Sequence, residues 1–388
     1  MTFYAYKESS MHIKKSELKA LKEFIDNEEY LPVADDILNR PEHFSLPRKS
    51  YINKKGTNRK RIVYIYPYAE KTALQLICYL LGRYDSKFCN NTYAFRMNRS
   101  VKDAARDIRK IPGISKKYTA KIDIHDYFNS IPDEILLNKI EDFLCDDPML
   151  RDFLIRLYGR KEVLLNEQII SENHGAMAGT PLSGFMANVY LDDIDKHFMS
   201  KGVPYFRYSD DIILFADSAW ERDKLLSELL AMIESAGLTV NEEKYVLTDP
   251  GEAWDYLGFS YVDGVYDLSK GTIMKTKLKI RRYAHYLYRK RSLNNLSYEE
   301  TVSRFLKRFN KIFFDESEEN EFCWKRWYFT FVTSEKGFRI IDDYMQEYLR
   351  YLYSGRHYKG NYRITYEMLK GLGYRNLVNE YYKSKKTT

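Results

Sequence analysis

The sequence is poor in the residues that build disulfide frameworks and zinc sites. Its 388 residues include four cysteines, which form no CxxC pair, and seven histidines, which form no HExxH motif. A disulfide-stabilised secreted domain and a zinc enzyme are therefore disfavoured. No apolar run is long enough to cross a membrane, and the first residues, MTFYAYKESS, lack the basic start and apolar centre of a signal peptide. These absences predict a reduced, cytoplasmic protein without membrane contact.

Charge is distributed unevenly along the chain. The net charge is +7, but residues 266–388 contain 26 Lys and Arg against 14 Asp and Glu, a net +12, which leaves −5 for residues 1–265. A basic region that follows an acidic one suits a protein that binds both a phosphate backbone and metal ions. A solvated charged surface is the alternative. The 35 tyrosines offer rings that stack on bases or pack in a core.

The most informative stretch is Tyr208-Ser209-Asp210-Asp211, within RYSDDIILFAD. Apolar and aromatic residues on both sides predict a strand, a tight turn and a second strand. Two adjacent carboxylates at such a turn repel each other, and burying them unpaired is costly. A divalent cation with a preference for hard oxygen ligands, such as Mg²⁺, relieves that cost. A polar hairpin tip without a metal is the alternative for this stretch taken alone.

Other acidic and basic segments lie on both sides of this turn. Residues 118–131, YTAKIDIHDYFNSI, predict a strand that carries Asp123 and Asp126. Upstream, residues 54–61 are strongly basic and lie between two β-rich stretches, which predicts a turn. Such a turn can close over a triphosphate, with Lys71 on the following helix as a second cation. Exposed surface lysines are the alternative interpretation.

The remaining segments predict an alternation of helices and strands. Glycine and alanine in residues 175–179 allow close backbone approach to a ligand before a helix begins near Ser183. An amphipathic helix ends at Gly237 and leads into a strand, and residues 254–262 predict another strand. A basic helical region starts at Lys275.

In this order, the segments resemble a prokaryotic reverse transcriptase of the group II intron, retron, abortive-infection or defence-associated types. The similarity rests on DIHDYFNSI, YSDD, GLTVNEEK and WDYLGF, and it spans roughly residues 45–262. The resemblance implies an α+β right-hand polymerase fold. It predicts fingers at 1–119 with 132–174, a palm of antiparallel sheet at 120–131 and 175–262, and a basic helical thumb at 263–388 that contacts RNA.

The resemblance also implies the roles of individual residues. Asp123, Asp210 and Asp211 are the expected catalytic carboxylates, and with the Ile124 carbonyl they would bind two Mg²⁺ ions, with Mn²⁺ as a substitute. Lys244 is the fourth expected catalytic residue, as a proton donor or a charge stabiliser near the leaving pyrophosphate, and a surface lysine is the alternative interpretation. The residues assigned to nucleotide binding are Arg61, Lys71, Asp126, Tyr127, Phe128 and Gly179. Those assigned to nucleic-acid binding are Arg96, Arg99, Tyr208, Leu257, Gly258, Lys277, Arg281 and Arg282.

Phe128 occupies the position of the family's aromatic steric gate beneath the sugar. A flat apolar ring leaves neither space nor a hydrogen-bond partner for a 2′-hydroxyl, which favours DNA synthesis over RNA synthesis. Core packing of the ring is the alternative interpretation.

The sequence departs from the family pattern at several points. The family's Gly-x-Pro-Gln-Gly is replaced by a segment with Met177 and Ala178, and its Ser-Pro by Ser183-Gly184. The fingers motif Tyr-Gly-x-Arg is Tyr93-Ala94-Phe95-Arg96. Alanine cannot make the polar contacts of the family's glutamine near the templating pair. These departures suit the retron and defence-associated branches.

The leading hypothesis is an RNA-directed DNA polymerase that uses dNTPs and a dedicated non-coding RNA template to make DNA in antiphage defence. A partner protein or a homo-oligomer is also expected. Template-independent or protein-primed DNA synthesis by the same site remains open, as does an RNA-binding scaffold with a vestigial palm. A nucleotide cyclase is a more distant alternative, because it accounts for neither the basic region nor Phe128.

Overall fold

The computed structural model describes residues 3–9, 13–53, 60–317 and 323–387, and the chain divides into two compact units. Unit 1 is Met1–Asp249 and unit 2 is Pro250–Thr388. Both units combine helices with strands, which confirms the predicted mixed composition.

Unit 1 contains two sheets and the helices around them. Its helices are α1 (Phe3–Ser9), α2 (Lys15–Asp26), α3 (Tyr30–Leu38), α4 (Tyr68–Leu81), α5 (Val101–Arg109), α6 (Tyr127–Ser130), α7 (Asp133–Phe143), α8 (Pro148–Gly159), α9 (Ser183–Ser200) and α10 (Ala219–Ser235). Its strands are β1 (Arg48–Asn53), β2 (Lys60–Ile65), β3 (Tyr118–Asp123), β4 (Glu162–Leu165), β5 (Gln168–Ser171), β6 (Tyr205–Tyr208), β7 (Asp211–Ala216) and β8 (Val246–Thr248).

The central sheet of unit 1 has the strand order β6-β7-β3-β8, and all three pairings are antiparallel. The helices α9 and α10 pack against it. Fully buried Leu191 of α9 and Ile212 and Leu214 of β7 belong to one continuous core. The β6–β7 hairpin confirms the strand, turn and strand predicted around Asp210-Asp211.

The second sheet of unit 1 has the order β2-β1-β4-β5. β1 and β2 form an antiparallel hairpin, and β1 meets β4 in parallel. Most of the basic turn predicted at its tip, residues 54–59, lies outside the described residues.

The strand predicted over residues 118–131 is shorter than expected. It ends at Asp123, and the short helix α6 begins at Tyr127. Asp126, between the two, has a left-handed backbone with φ of 42°, which the sheet ladder does not accommodate. Asp126 is therefore exposed in the turn before α6 and does not share the strand with Asp123.

Unit 2 combines a small sheet with six helices among its described residues. Its strands are β9 (Trp254–Tyr256), β10 (Phe259–Val262) and β11 (Val265–Leu268), and its helices are α11 (Lys270–Leu293), α12 (Tyr298–Phe314), α13 (Trp324–Phe331), α14 (Lys336–Ser354), α15 (Tyr366–Gly371) and α16 (Leu377–Thr387). The sheet is antiparallel with the order β11-β10-β9.

The single strand predicted over residues 254–262 is a hairpin. Leu257 and Gly258 form its turn, with φ of 50° and 88°. Positive φ at both central residues is the requirement of a type I′ turn, whose twist matches that of the flanking strands. The compact-unit boundary after Asp249 also places this hairpin with the helical region, whereas the sequence placed the division after residue 262.

Aromatic side chains form much of the core of unit 2. Phe305, Phe309 and Phe313 recur every four residues along α12, so they share one face, and all are buried. Tyr348 and Tyr351 on α14 are also buried. Part of the tyrosine excess therefore serves packing.

Asp342 of α14 is a buried acid that anchors the start of α16. Its carboxylate accepts hydrogen bonds from the backbone N–H groups of Leu377 (2.8 Å) and Val378 (3.0 Å) and from the hydroxyl of Tyr374 (2.8 Å). Burial is the largest influence on this carboxyl and raises its pKa to about 6, although the three donors act in the opposite direction.

We expect the stability of unit 2 to depend on the protonation of Asp342. Because its folded pKa lies above the unfolded value of about 3.9, the stabilising contribution is complete below about pH 4 and is lost as the pH rises through about 6. Relative to Asp342→Asn, the wild-type protein should lose up to about 3 kcal/mol of unfolding free energy between pH 4 and pH 7. Equilibrium urea unfolding at several pH values measures this difference.

The neighbouring Asp343 is exposed and provides a matched control. Asp343→Asn removes only the last and smallest of the influences on the Asp342 pKa, so it should change the pH profile far less than Asp342→Asn does. A difference between wild type and Asp342→Asn that stays constant with pH would contradict the assignment.

Candidate active site

Two acidic residues lie opposite each other at one end of the central sheet of unit 1. Asp123 is the last residue of β3 and Asp211 the first of β7, and the antiparallel register pairs them directly. Asp210 immediately precedes Asp211 in the β6–β7 turn, and its carbonyl accepts the N–H of Ile124 at 3.0 Å. Four residues of the predicted metal site therefore meet at one edge of the sheet.

The surroundings of Asp211 at this edge raise the pKa of its carboxyl group. Burial raises the pKa of Asp211 to about 6, and the charges of Asp210 and Asp123 act in the same direction. Lys121, two residues before Asp123, opposes the shift, with its Nζ 3.3 Å from an Asp211 oxygen. A nearby cation favours the ionised form of a carboxylate.

The donors at this edge are oxygens, which is the chemistry that Mg²⁺ prefers. Within the described ranges, no group of three or more His, Cys, Asp or Glu side chains is gathered closely enough to hold an ion. The fit to a divalent cation therefore rests on the strand register and the hard-oxygen donor set of Asp123, Asp210 and Asp211.

A buried ion pair supports the turn that carries these acids, and sequence reasoning missed it. The side chains of Arg207 and Asp195 are both 0 % exposed. The Arg207 Nε lies 2.8 Å and 3.0 Å from the two Asp195 oxygens. Another Arg207 nitrogen donates to the carbonyl of Ser209 at 3.2 Å, where φ is 63°. The sequence signal that could have indicated this ion pair is the single arginine, Arg207, within the otherwise aromatic strand β6.

Tyr127 and Phe128 have different surroundings on the short helix α6. Tyr127 is buried, and its hydroxyl donates to the carbonyl of Ala187. The ring and hydroxyl of Tyr127 are thus used inside the core, and its assignment to nucleotide binding stays a prediction. Phe128 is only partly buried.

The loop containing Met177 and Ala178 is attached to β2. The Ala178 carbonyl accepts the N–H of Tyr64 at 2.8 Å, and Met177 is buried with φ of 49°. Gly179 has φ of 96°, and a Cβ there would lie 3.1 Å from the Cβ of Val63. Gly179 thus lies close to β2 and is also exposed, and its assignment to nucleotide binding stays a prediction.

The two arginines predicted to contact phosphates are engaged within the protein. The guanidinium of Arg96 donates to the carboxylate and carbonyl of Asp85 and to the carbonyls of Cys89 and Thr92. These contacts occupy the donors of Arg96, whose side chain is 4 % exposed, and its assignment to nucleic-acid binding stays a prediction. Arg99 pairs with Asp107 at 3.3 Å and is partly exposed.

The remaining predicted residues of unit 1 are at its surface or beside β3. Arg61 on β2 and Lys71 on α4 are exposed, and Tyr208 is partly exposed. Lys244 ends a short 3₁₀ helix just before β8, which pairs with β3. The side chain of Lys244 is outside the described residues.

The other predicted nucleic-acid contacts lie in unit 2. The carbonyl of Gly258, in the β9–β10 turn after Leu257, accepts the hydroxyl of Thr272 at 2.9 Å. Lys277, Arg281 and Arg282 lie on α11. Arg281 and Arg282 are exposed, and the Lys277 Nζ lies 5.0 Å from the ring centre of Tyr344.

The paired acids at the end of an antiparallel sheet fit a nucleotidyl-transferring polymerase, and comparison with known families identifies the class. A sequence model of the reverse transcriptase (RNA-dependent DNA polymerase) family matches residues 52–261, and the chain belongs to this family. Members of this family generally use divalent metal ions.

A particular relative is the retron Ec86 reverse transcriptase of Escherichia coli. The two are 24 % identical over 205 residues, which cover 51 % of this chain and 58 % of that protein. The chain thus spans well under two thirds of this relative's length. The match confirms the predicted resemblance to prokaryotic, retron-type reverse transcriptases.

Two solved telomerase structures are also similar. The apo enzyme of Candida tropicalis truncated from its C-terminal domain is 14 % identical, with a TM-score of 0.44 and coverage of 58 % of this chain and 55 % of that one. The Candida albicans enzyme in complex with a telomeric RNA fragment is 12 % identical, with a TM-score of 0.47 and coverage of 92 % and 68 %.

Among the described residues, no helix is both long enough and apolar enough to span a lipid bilayer.

Proposed function

We propose that this protein is an RNA-directed DNA polymerase that copies a dedicated non-coding RNA into DNA with two Mg²⁺ ions, and that it acts in antiphage defence. The observation that carries the proposal is the pairing of Asp123 with Asp211 across two strands, with Asp210 in the adjoining turn. Family membership supplies the reaction class, and the retron relative supports the choice of RNA.

The acidic edge suits nucleotidyl transfer. Asp123, Asp210, Asp211 and the Ile124 carbonyl would hold the metal ions, which, when bound, stabilise the entering and leaving oxygens of an in-line displacement. Mn²⁺ carries the same charge and accepts the same ligands. The chain's own contribution is to fix the carboxylates, because β3 and β7 hold two of them in register and Arg207 supports the turn between β6 and β7.

The other residues of the proposal act on the substrates. The ring of Phe128 would exclude a 2′-hydroxyl, and Lys244 would balance charge on the pyrophosphate. Arg61 and Lys71 would attract the triphosphate of a dNTP. Lys277, Arg281 and Arg282 on the basic helix α11 would contact the phosphate backbone of the template–product duplex.

The proposed division into fingers, palm and thumb follows the family. Fingers comprise 1–119 with 132–174, the palm 120–131 with 175–262, and the thumb 263–388. The compact units are divided differently, since residues 250–262 belong to unit 2. Leu257 and Gly258, in the β9–β10 turn, would contact the primer end.

The test is to supply the purified chain with an RNA of known sequence, an annealed DNA primer, dNTPs and Mg²⁺, and to sequence the product. The proposal predicts DNA complementary to the RNA. A random or homopolymer product linked to the protein would favour untemplated or protein-primed synthesis. Absence of any incorporation would favour an RNA-binding scaffold.

The identity of the natural template is tested by sequencing the RNA that co-purifies with the protein. One predominant non-coding RNA, with a DNA copy of part of it in the same preparation, is the expected result. A heterogeneous mixture of cellular RNAs would contradict a dedicated template.

A further inference from the structure

The backbone and the ring of Phe128 are held by different parts of unit 1. The Phe128 carbonyl accepts the N–H of Ala176 at 2.7 Å, and a Cβ at Gly175 would come within 2.3 Å of the same oxygen. The loop at 175–176 therefore fixes the backbone of Phe128. Its partly buried ring meets the ring of Phe95 edge to face, with centroids 5.8 Å apart and planes at 82°.

Phe95 is held in an unusual conformation. Its φ is 57° although it is not a glycine, and an L-residue with a large side chain adopts this region only at an energetic cost. Its flanking residues are firmly attached: the Ala94 carbonyl accepts the side chain of Asn188 at 2.7 Å, and Arg96 makes the buried contacts to Asp85 described above. These attachments make the backbone at Phe95 project the ring towards Phe128.

Gly184 provides the space for this ring. A Cβ at position 184 would lie 2.4 Å from Cγ of Phe95 and 2.6 Å from Cδ1, far below van der Waals contact. A residue larger than glycine at 184, including the proline that the family carries there, would therefore displace the Phe95 ring. The departure from the family at Gly184 and the position of Phe95 are physically linked.

Core formation does not account for Phe95, because the residue is 54 % exposed. A strained backbone that presents an exposed aromatic ring is typical of functional sites. The only ring-to-ring contacts that the structure gives Phe128 within the described residues are with Phe95 and the adjacent Tyr127.

We propose that Phe95 is a positioning residue that holds the Phe128 ring in place beneath the sugar of the incoming nucleotide, and that Gly184 makes this contact sterically feasible. The inference rests on the proposed polymerase function and extends it, since it assigns sugar selectivity to a pair of rings from separate segments. Phe128 also packs against the apolar core of unit 1, so losing Phe95 removes one of two supports of its ring. The ring then has more rotameric freedom, and the 2′-hydroxyl is excluded less strictly.

The test measures incorporation of dGTP against GTP opposite a template cytosine, on a synthetic RNA annealed to a DNA primer. Phe95→Ala should lower the dGTP:GTP preference about threefold to tenfold, the range of an aromatic pair contact. Gly184→Ala should lower it similarly by displacing the ring. Because the preference is a ratio measured on one preparation, it does not depend on the fraction of folded protein.

Two further variants separate positioning from general damage. Met97, two residues further on, is 51 % exposed, and Met97→Ala should retain the wild-type preference. Phe128→Val should lower the preference more than Phe95→Ala does, and adding Phe95→Ala to Phe128→Val should change it no further, because the ring to be positioned is absent.

Two results would overturn the inference while leaving the polymerase proposal intact. One is an unchanged dGTP:GTP preference in Phe95→Ala. The other is that Phe95→Ala lowers the preference by the same factor in the Phe128→Val variant as in the wild-type protein. Failure of the wild-type protein to incorporate dGTP at all would overturn both. If Phe95→Ala fails to fold, Phe95→Leu, which keeps the apolar volume and loses the flat ring, should still lower the preference, and a wild-type ratio from that variant would contradict the proposal.

Discussion

Replacing Asp210 with alanine should lower the rate of DNA synthesis by roughly a thousandfold or more. The variant loses a metal-binding carboxylate, and metal-assisted charge stabilisation is worth several kcal/mol at about 1.4 kcal/mol per factor of ten. Asp210 is partly exposed in the turn after β6, so its removal should leave the fold unchanged. Primer extension on a synthetic RNA template measures the rate, and circular dichroism checks the fold.

Asp217 is the matched control for this prediction. It directly follows β7 at the end opposite Asp211, its side chain is 80 % exposed, and it pairs with Lys117 at 2.6 Å. Asp217→Ala should retain at least half of the wild-type rate, because an exposed ion pair contributes little. Equal rates in wild type and Asp210→Ala would exclude the carboxylate from the chemistry.

Replacing Arg207 with methionine should destabilise unit 1 by about 3–5 kcal/mol, because it leaves Asp195 buried without its positive partner. The Asp195 carboxylate would keep only the hydroxyls of Thr92 and Tyr205, at 2.7 Å and 3.0 Å. Activity should fall as well, since Arg207 also donates to the Ser209 carbonyl beside Asp210. Equilibrium urea unfolding measures the stability.

Removing both charges distinguishes the cost of an unpaired acid from the loss of packing. Arg207→Met combined with Asp195→Asn should recover part of the lost stability, because the amide carries no charge. Its oxygen can accept from one of the two hydroxyls of Thr92 and Tyr205, and its NH₂ group can donate to the oxygen of the other. Its activity should stay low, because the support of the Ser209 carbonyl is still missing. A loss below about 1 kcal/mol in Arg207→Met would contradict the role of the ion pair.

Much of the local structure around the acidic edge follows from sequence patterns. The apolar residues on both sides of Asp210-Asp211 predict the β6–β7 hairpin, and the periodicity and glycine stop after residue 219 predict α10. These signals are local. The pairing of Asp123 with Asp211 is not local. It is expected from the resemblance to a known family, because the number of residues between two strands does not determine which of their residues pair.

Sequence patterns failed to predict the ends of two strands, and a turn residue with positive φ follows each end. Asp126 and Leu257 both read as strand residues, yet each lies in a turn with φ of 42° and 50°. Neither is a glycine, so its residue type does not indicate a left-handed backbone. Gly258, directly after Leu257, is the one signal that a turn interrupts the second stretch. The strand predicted at 118–131 is therefore too long, and the one predicted at 254–262 is a hairpin.

The roles of arginines could not be predicted because burial depends on distant partners. Arg96 lies within the fingers motif, and Arg207 directly precedes the Tyr208–Asp211 motif. Each side chain is buried because it pairs with a distant acid, Asp85 for Arg96 and Asp195 for Arg207. The contact of Phe95 with Phe128 is equally invisible in sequence, because it requires the left-handed backbone at Phe95 and the absent side chain at Gly184. Such contacts become evident only when the chain is folded.

The most direct test of the central claim compares single-nucleotide addition by Asp123→Asn with that by Asp210→Ala at saturating Mg²⁺. The two residues lie on different strands and meet only in the fold. If they serve one metal-binding edge, Asp123→Asn should lose activity by a factor similar to that of Asp210→Ala, roughly a thousandfold. A rate close to wild type from Asp123→Asn, alongside an inactive Asp210→Ala, would contradict a shared site.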